Sequence, residues 1–311
     1  MYKVIPILLL LILQLAYAQE QDKNIHQTTI SITPQIGYSV AKSSFNISGN
    51  ELGKNPNVLS ELIWDPTNSL EYGLDIGINH KKIFFQASLL LNSTILGNVS
   101  DIDYDGDNRT LAYSELYLSN HKGSGYSISF QPGYYWIRTS KTSLGTYASV
   151  NLNSKKLYLL NNDDWSSSDR AYIEGLNSYY KYTFPNYGIG IRLNQKIVHN
   201  LHAEIALEGY LNKYKAYGNW NLIEEFEKPV SYEHFGNGRR IITDLCLKYQ
   251  IATDINIGLN YHYSNFAVSG GKDYLYTLNQ GILKTRLNEA SEYKHSFLLN
   301  LEYKIPFIKY N

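Results

Sequence analysis

The residues Asp101-Ile102-Asp103-Tyr104-Asp105-Gly106-Asp107-Asn108 form the densest acidic stretch of the chain. Carboxylates at this spacing have three uses. They can hold a calcium ion, they can share protons in acid–base chemistry, or they can simply solvate a loop. The run D-x-D-x-D-G has the opening of a calcium-binding loop, but Ala112 stands at the twelfth position, where such a loop needs a bidentate Glu. On an extended strand, Asp101 and Asp103 flank Ile102 and so put both carboxyls on one face. Two such neighbours raise each other's proton affinity.

The rest of the composition narrows the chemistry. Lys and Arg total 28 and Asp and Glu total 28, so there is no basic field for a nucleic-acid partner. The single cysteine, Cys246, rules out an internal disulfide framework and a multi-cysteine zinc centre. We expect no metal and no organic cofactor. There are 29 Tyr against 1 Met, a bias that suits a membrane–water boundary because tyrosine is apolar along its ring and polar at its tip.

The elements that must carry these residues read as strands. Residues 1–18 combine Lys3, an apolar run from Val4 to Leu13 and the small-x-small ending Ala16-Tyr17-Ala18. That pattern predicts a secretory signal peptide cut after Ala18, and residues 19–311 read as one domain. Leu70, Tyr72, Leu74, Ile76 and Ile78 alternate with polar or small residues, as do Ile255, Ile257, Leu259, Tyr261 and Tyr263. The last such run carries Phe297, Leu299, Leu301, Tyr303, Ile305 and Phe307 in one phase. Period two means strands with one apolar and one polar face. Short breaks at 80–82, 196–200 and 252–254 alternate with long polar ones near 50–57, 96–113, 160–176, 219–237 and 270–288. The fold expected is all-β: a transmembrane antiparallel barrel of about ten strands, with short periplasmic turns and long outer loops. The strands are longer than the ~9–11 residues that cross a bilayer, so the barrel is expected to rise above it. Pro132 inside the strand Tyr126–Trp136 argues against a regular ladder there.

The motifs also resemble those of the omptin family of outer-membrane proteases. Leu59-Ser60-Glu61-Leu62-Ile63-Trp64 resembles its L-S-x-L-x-W. Gly97-Asn98-Val99-Ser100-Asp101-Ile102-Asp103-Tyr104-Asp105 resembles its G-N-x-x-D-x-D-W-x-D. Tyr180-Lys181-Tyr182-Thr183-Phe184-Pro185-Asn186-Tyr187-Gly188-Ile189-Gly190 resembles its Y-K-x-x-F-x-x-P-Y-I-G, with the proline displaced. The resemblance spans nearly the whole mature chain. It implies a ten-stranded barrel in the outer membrane of a diderm bacterium, with its active end outside. It also implies a peptidase site built from an Asp–Asp pair and an Asp–His pair around a water, and a requirement for lipopolysaccharide.

By this match Asp101 and Asp103 are the Asp–Asp pair. The other pair departs from the family's D-x-D-x-H. Asn221 stands at the place of the Asp and Ile223 at that of the His, and neither can hold or accept the proton that the chemistry needs. Phe45 and Asn219 occupy the places of the acids that receive a basic substrate side chain. His234, in Tyr232-Glu233-His234-Phe235, could supply the base if the chain turns near Lys228-Pro229 and brings it opposite Ile223.

Two functions are therefore carried forward. The first is an omptin-like surface endopeptidase, monomeric, acting on extracellular peptide or protein. The second is a catalytically inactive barrel of the same form that serves as an adhesin or binding protein. A passive porin is a third.

Overall fold

The structure is a computed structural model that describes residues 28–161 and 172–306. The expected signal peptide, residues 1–18, and the terminal aromatic Phe307 lie outside the described residues. In chain order the strands are β1 (Thr29–Ile47), β2 (Ser60–His80), β3 (Ile83–Gly106), β4 (Thr110–Ser119), β5 (Gly123–Arg138), β6 (Thr142–Leu159), β7 (Ser178–Val198), β8 (Leu201–Asn219), β9 (Tyr232–Ala252), β10 (Ile255–Thr277) and β11 (Gly281–Pro306). All neighbours pair antiparallel, and β1 closes the ring on β11 from Thr29↔Pro306 to Ile47↔Leu287. The lower half of β3 pairs with β5 and its upper half with β4. The eleven strands thus make ten staves, because β4 and β5 lie end to end along β3.

Outward residues in the lower two thirds are apolar and exposed, among them Ile36, Leu70, Ile128, Ile189, Leu211 and Leu299. Inward residues at the same heights, such as Glu71, Asn186 and Ser296, are buried. This is the inverse of a water-soluble sandwich and marks a lipid-facing belt around a polar interior. Pro132 stays within β5, but β5 has no pairing partners on β6 at Gln131 and Pro132, so its missing N–H leaves no ladder bond to fill on that side.

Three of the long breaks are corrected. The strand β3 runs on to Gly106, and only Asp107–Arg109, a single 3₁₀ turn, separates it from β4. The strand β9 begins at Tyr232, and β10 and β11 are joined by residues 278–280 alone. The upper staves leave the lipid, so their outer faces carry Lys, Glu and Ser as readily as their inner ones. The period-two contrast that announces a strand then disappears although the ladder continues.

The interior of the tall end is filled. Phe45 on β1 meets Tyr180 on β7, directly across the ring, with centroids 4.5 Å apart. Trp64 on β2 stacks on Tyr180 at 5.7 Å and donates its indole N–H to the Tyr158 carbonyl on β6. Phe184 on β7 meets Phe266 on β10 at 4.6 Å. Below this plug, Lys155 of β6 forms an ion pair with Glu292 of β11 across the lumen, and Glu292 also accepts from Tyr182 at 2.7 Å and Ser43 at 2.9 Å. Lower still is a chamber of about 350 Å³, lined by mutually paired charges such as Lys248 with Glu204 (3.3 Å) and His262 with Asp244 (2.8 Å).

Because Phe45 is the ring that joins the two walls, Phe45→Ala should leave a cavity in the plug. We expect a loss of about 3–5 kcal/mol, the usual cost of deleting a buried phenyl ring. It would be read as a lower midpoint in denaturant unfolding of the refolded barrel. Unchanged stability would mean that the walls stand without this contact.

Candidate functional site

The two acid-bearing walls owe their aim to irregularities in the ladder. Along the lower β3 the inward residues are even-numbered, as with Phe84, Gln86 and Asn92. Asn68 pairs with Leu96 and Ser69 with Thr94, which leaves Ile95 as an extra residue. That bulge flips the phase, so Val99, Asp101 and Asp103 sit opposite the inward Trp64, Leu62 and Ser60. Four strands away round the ring, through β2, β1 and β11, the same device recurs on β10. Val268 pairs with Gly238 and Gly271 with Gly236, an excess of one residue. Gly270 takes φ +79, a left-handed conformation that glycine adopts freely. Beyond it Asp273 faces inward, directly paired with His234 of β9.

Asp101 and Asp103 lie at the upper rim of the plug, partly open to solvent but surrounded by protein atoms. Burial, reinforced by the Asp103 charge, pushes the Asp101 carboxyl up to about 8. Burial also raises Asp103, opposed by the Ser60 hydroxyl beside it. No basic group acts prominently on either, and Arg109, the nearest cation along the chain, is held in a two-point bond to Glu61 (2.9 and 2.7 Å).

His234 does face the barrel interior, but it is 0% exposed. Its Nδ1 shares a 2.8 Å hydrogen bond with the Tyr180 hydroxyl. Its Nε2 lies 3.1 Å from Asp273 Oδ1, at ion-pair distance but off the line of a hydrogen bond. Thr285 donates to the other Asp273 oxygen at 2.7 Å, and Tyr180 continues the chain to Tyr214 at 2.8 Å. The Phe45 ring packs edge-on against the imidazole at 4.6 Å, and Tyr232 lies 5.0 Å away. The imidazole is therefore walled in by aromatic side chains, with Nδ1 hydrogen-bonded and Nε2 beside a carboxylate.

The expected geometry of this wall needs correction in two places. His234 pairs with Ala216 and Asp273, and not with Ile223, which lies in the loop beyond β8 with its side chain exposed. Asn221 is in the same loop. Its Oδ1 accepts from the Asn177 N–H and the Ser178 hydroxyl, both at 2.9 Å, and its Nδ2 donates to the Gly175 carbonyl at 2.8 Å. It ties two loops together. Glu233 points outward, bonded to Lys215 (3.0 Å) and Tyr276 (2.6 Å). Phe45 is the central ring of the plug. Asp273 escaped the sequence reading because it stands 39 residues from His234; the Gly270-Gly271 pair inside a strand was the available sign of a bulge. Among the described residues, no three carboxylate, imidazole or thiolate side chains converge on a metal position.

The raised Asp101 carboxyl has a definite consequence for pH. An acid whose folded pKa exceeds its unfolded one keeps its proton longer when folded. The folded state then binds the extra proton between the ordinary Asp range, about 4, and about 8. Stability should fall as pH rises through that window and level off above it. Asp101→Asn should flatten this slope, measured by denaturant unfolding from pH 5 to 9. An unchanged slope would remove Asp101 as its source.

With this geometry in view, the chain can be set beside known proteins. No curated protein matches the sequence. The crystal structure of outer membrane protease OmpT from Escherichia coli superimposes with a TM-score of 0.61 at 13% identity, covering 93% of this chain and 99% of that one. The translocator domain of autotransporter NalP from Neisseria meningitidis gives 0.38 at 12% identity, covering 93% and 90%. The outer membrane protein OprG from Pseudomonas aeruginosa gives 0.34 at 11%, covering 90% and 97%. The OmpT likeness shows the fold, an outer-membrane barrel of omptin form. The family model described as Pom, Protochlamydia outer membrane protein, matches residues 19–305, so the chain belongs to the Protochlamydia outer membrane protein family and is a protein of the outer membrane.

Proposed function

We propose that this protein is a non-hydrolytic surface barrel whose tall end faces outside and serves as a binding platform. The observation that carries this reading is the state of His234. A general base must come within hydrogen-bond reach of the water it activates. This imidazole is sealed under Phe45, Tyr180 and Tyr232, its Nδ1 bonded to Tyr180 and its Nε2 facing Asp273 at 3.1 Å. The aromatic plug fills the space between it and the Asp101–Asp103 wall. The same plug opposes a passive pore, since the Phe45–Tyr180 contact spans the lumen. The tall end instead offers exposed apolar and aromatic side chains, with Leu111, Tyr113 and Leu116 on β4. Rigid aromatic area of this kind suits recognition of a protein surface at low entropic cost.

One arrangement favours the endopeptidase as a second reading. An Asp–Asp pair and a His–Asp pair both lie on inward faces of the tall end. For hydrolysis the plug would have to open. Incubation of the refolded barrel with a mixed peptide library, in detergent containing lipopolysaccharide, separates the two. We expect no cleavage, and the same null result with Asp103→Ala. Cleavage by the wild type that Asp103→Ala abolishes would establish the peptidase and overturn the binding reading.

Association with outer-membrane lipid follows from the family and fold. We infer further that the lipid includes lipopolysaccharide. Just above the belt that ends at Leu152, Tyr187 and Leu211, the outward face of β6–β9 carries Lys156, Lys181, Lys213, Lys215 and Arg239. Lys156 sits 3.7 Å over the Tyr179 ring and 4.6 Å over Tyr158, which holds its charge at that height. Phosphate groups of the outer leaflet would meet this row. Replacing Lys156, Lys181 and Lys213 together by Gln should reduce lipopolysaccharide binding at least tenfold at low salt, measured by co-purification and titration. Binding that survives the triple change would place the contact elsewhere.

A further inference from the structure

The lipid-facing wall is not even around the belt. Over β5, β6 and β7 its outer surface sinks into an apolar furrow of about 770 Å³. The sequence makes it in two ways. Pro132 has no N–H to give, and β5 has no ladder partners on β6 at Gln131 and Pro132. Beside that interruption the outward side chains of β6 are small, Thr146 and Ala148. On either side they are large: Phe130 and Tyr134 on β5, and Ile189 and Ile191 on β7, with Ile189 standing up as a ridge at 74% exposure. Behind the floor the inner face is packed. A Cβ on Gly133 would strike the Phe84 ring at 2.2 Å, and one on Gly190 the Tyr147 ring at 2.3 Å. The lower end of the furrow meets the short turns. There Trp136 donates its indole N–H to the Thr146 hydroxyl at 3.0 Å and packs edge-on against Tyr134 at 5.2 Å. Exposed rings of this kind mark the membrane–water boundary. Just below stand two exposed cations, Lys82, whose carbonyl accepts the Tyr135 N–H at 2.7 Å, and Lys141 in the β5–β6 turn. Neither has an ion-pair partner among the described residues.

We propose that this furrow holds one acyl chain of a glycerophospholipid from the leaflet at the short-turn end, with the phosphate of that lipid at Lys82 and Lys141. At the depth of Ala148 the only material outside the wall is hydrocarbon. Ala148 stands seven residues along the chain from Lys141. On a strand tilted by about 40° that is roughly 18 Å of depth, comparable with one leaflet of a ~30 Å hydrocarbon core. The furrow's volume falls within the ~300–1,000 Å³ of small-molecule sites, and basic residues at the rim suit a phosphate headgroup. The site lies at the opposite end of the belt from Lys156, Lys181 and Lys213 and takes a different lipid. With the tall end outside, its leaflet is the periplasmic one.

The test uses the full chain refolded into nanodiscs of phosphatidylethanolamine and phosphatidylglycerol, symmetric bilayers in which orientation plays no part. A trace of phospholipid carries a photoactivatable group on its acyl chain. Labelling per residue over 144–150 and 187–191 should exceed that over the outward residues of β1 and β11 at least fivefold. Ala148→Trp, an outward change that fills the furrow, should bring labelling down to the level of the opposite wall. Leu299→Trp, on that opposite wall, should leave it unchanged. The double variant K82Q/K141Q should lose labelling several-fold with the phospholipid probe and not with a diacylglycerol probe of the same chain. Native mass spectrometry after detergent extraction should find one phospholipid retained on the wild type and absent from Ala148→Trp. Heat-modified migration in gels checks folding. If Ala148→Trp does not fold, Ile189→Ala removes the ridge instead and should at least halve the labelling. Even labelling round the belt, labelling indifferent to Ala148→Trp and Ile189→Ala, or a second copy cross-linked against this face would overturn the site. Equal response of the two probes to K82Q/K141Q would overturn the phosphate contact.

Discussion

The tall end of this barrel depends on contacts made across its own lumen. Within the bilayer, lipid buries the outer face of each stave and the polar inner faces pair with one another. Above it there is no lipid, and a stave standing there would have water on both sides. The chain meets this by filling the interior with large rings. Phe45, Trp64, Tyr180, Phe184, Tyr232 and Phe266 reach inward from five different strands and pack together. Rings supply much buried area with few rotatable bonds. The Phe45–Tyr180 contact joins strands on opposite sides of the ring, so it fixes the separation of the two walls.

That constraint decides what the walls can do. Opposed acids and a histidine at the mouth of a barrel are the raw material of a hydrolytic cleft, but a cleft needs a gap of substrate width. Here the gap holds aromatic side chains. His234 and Asp273 act within the packing: Thr285, Asp273, His234, Tyr180 and Tyr214 form a continuous polar seam through an otherwise apolar cluster. A buried polar seam with nearly all its members bonded fixes the arrangement of the rings around it. The omptin motif that the sequence was compared with places a histidine and an aspartate on one strand with a residue between them. This chain has a histidine and an aspartate on neighbouring strands, in direct register between β9 and β10.

Much of the fold was legible in the sequence, and the reason it stopped being legible is physical. The lipid belt imposes strict alternation, so Leu70–Ile78 and Ile255–Tyr263 read plainly as strands, and the ten staves follow. Above the belt the constraint lapses. Residues 98–106, 232–237 and 281–288 are strand without looking like it. Single-residue bulges at Ile95 and Gly270 then invert the phase, so that counting from the belt would point Asp101 outward and Lys272 inward. Asp101 and Asp103 could be singled out because they are adjacent in sequence. Asp273 could not, because its partner is set by ladder register across a bulge.

The charge pattern of the interior separates its two halves. In the lower chamber and at its ceiling, many inward carboxylates have a basic partner from another strand: Glu71 with Lys294, Glu204 and Glu302 with Lys248, Asp244 with His262, Glu292 with Lys155, while Glu208 is held by the neutral donors Gln131 and Tyr147. Most of these groups are satisfied from within the barrel. Asp101 and Asp103 differ in being two acids side by side. They are close enough for one to raise the other, and the cation nearest in sequence, Arg109, is committed to Glu61. The cost of crowding like charges in a partly desolvated place is not offset by any residue described near them. The cross-strand ion pairs lie where the barrel is closed, and the adjacent acids lie at the upper rim, partly open to solvent.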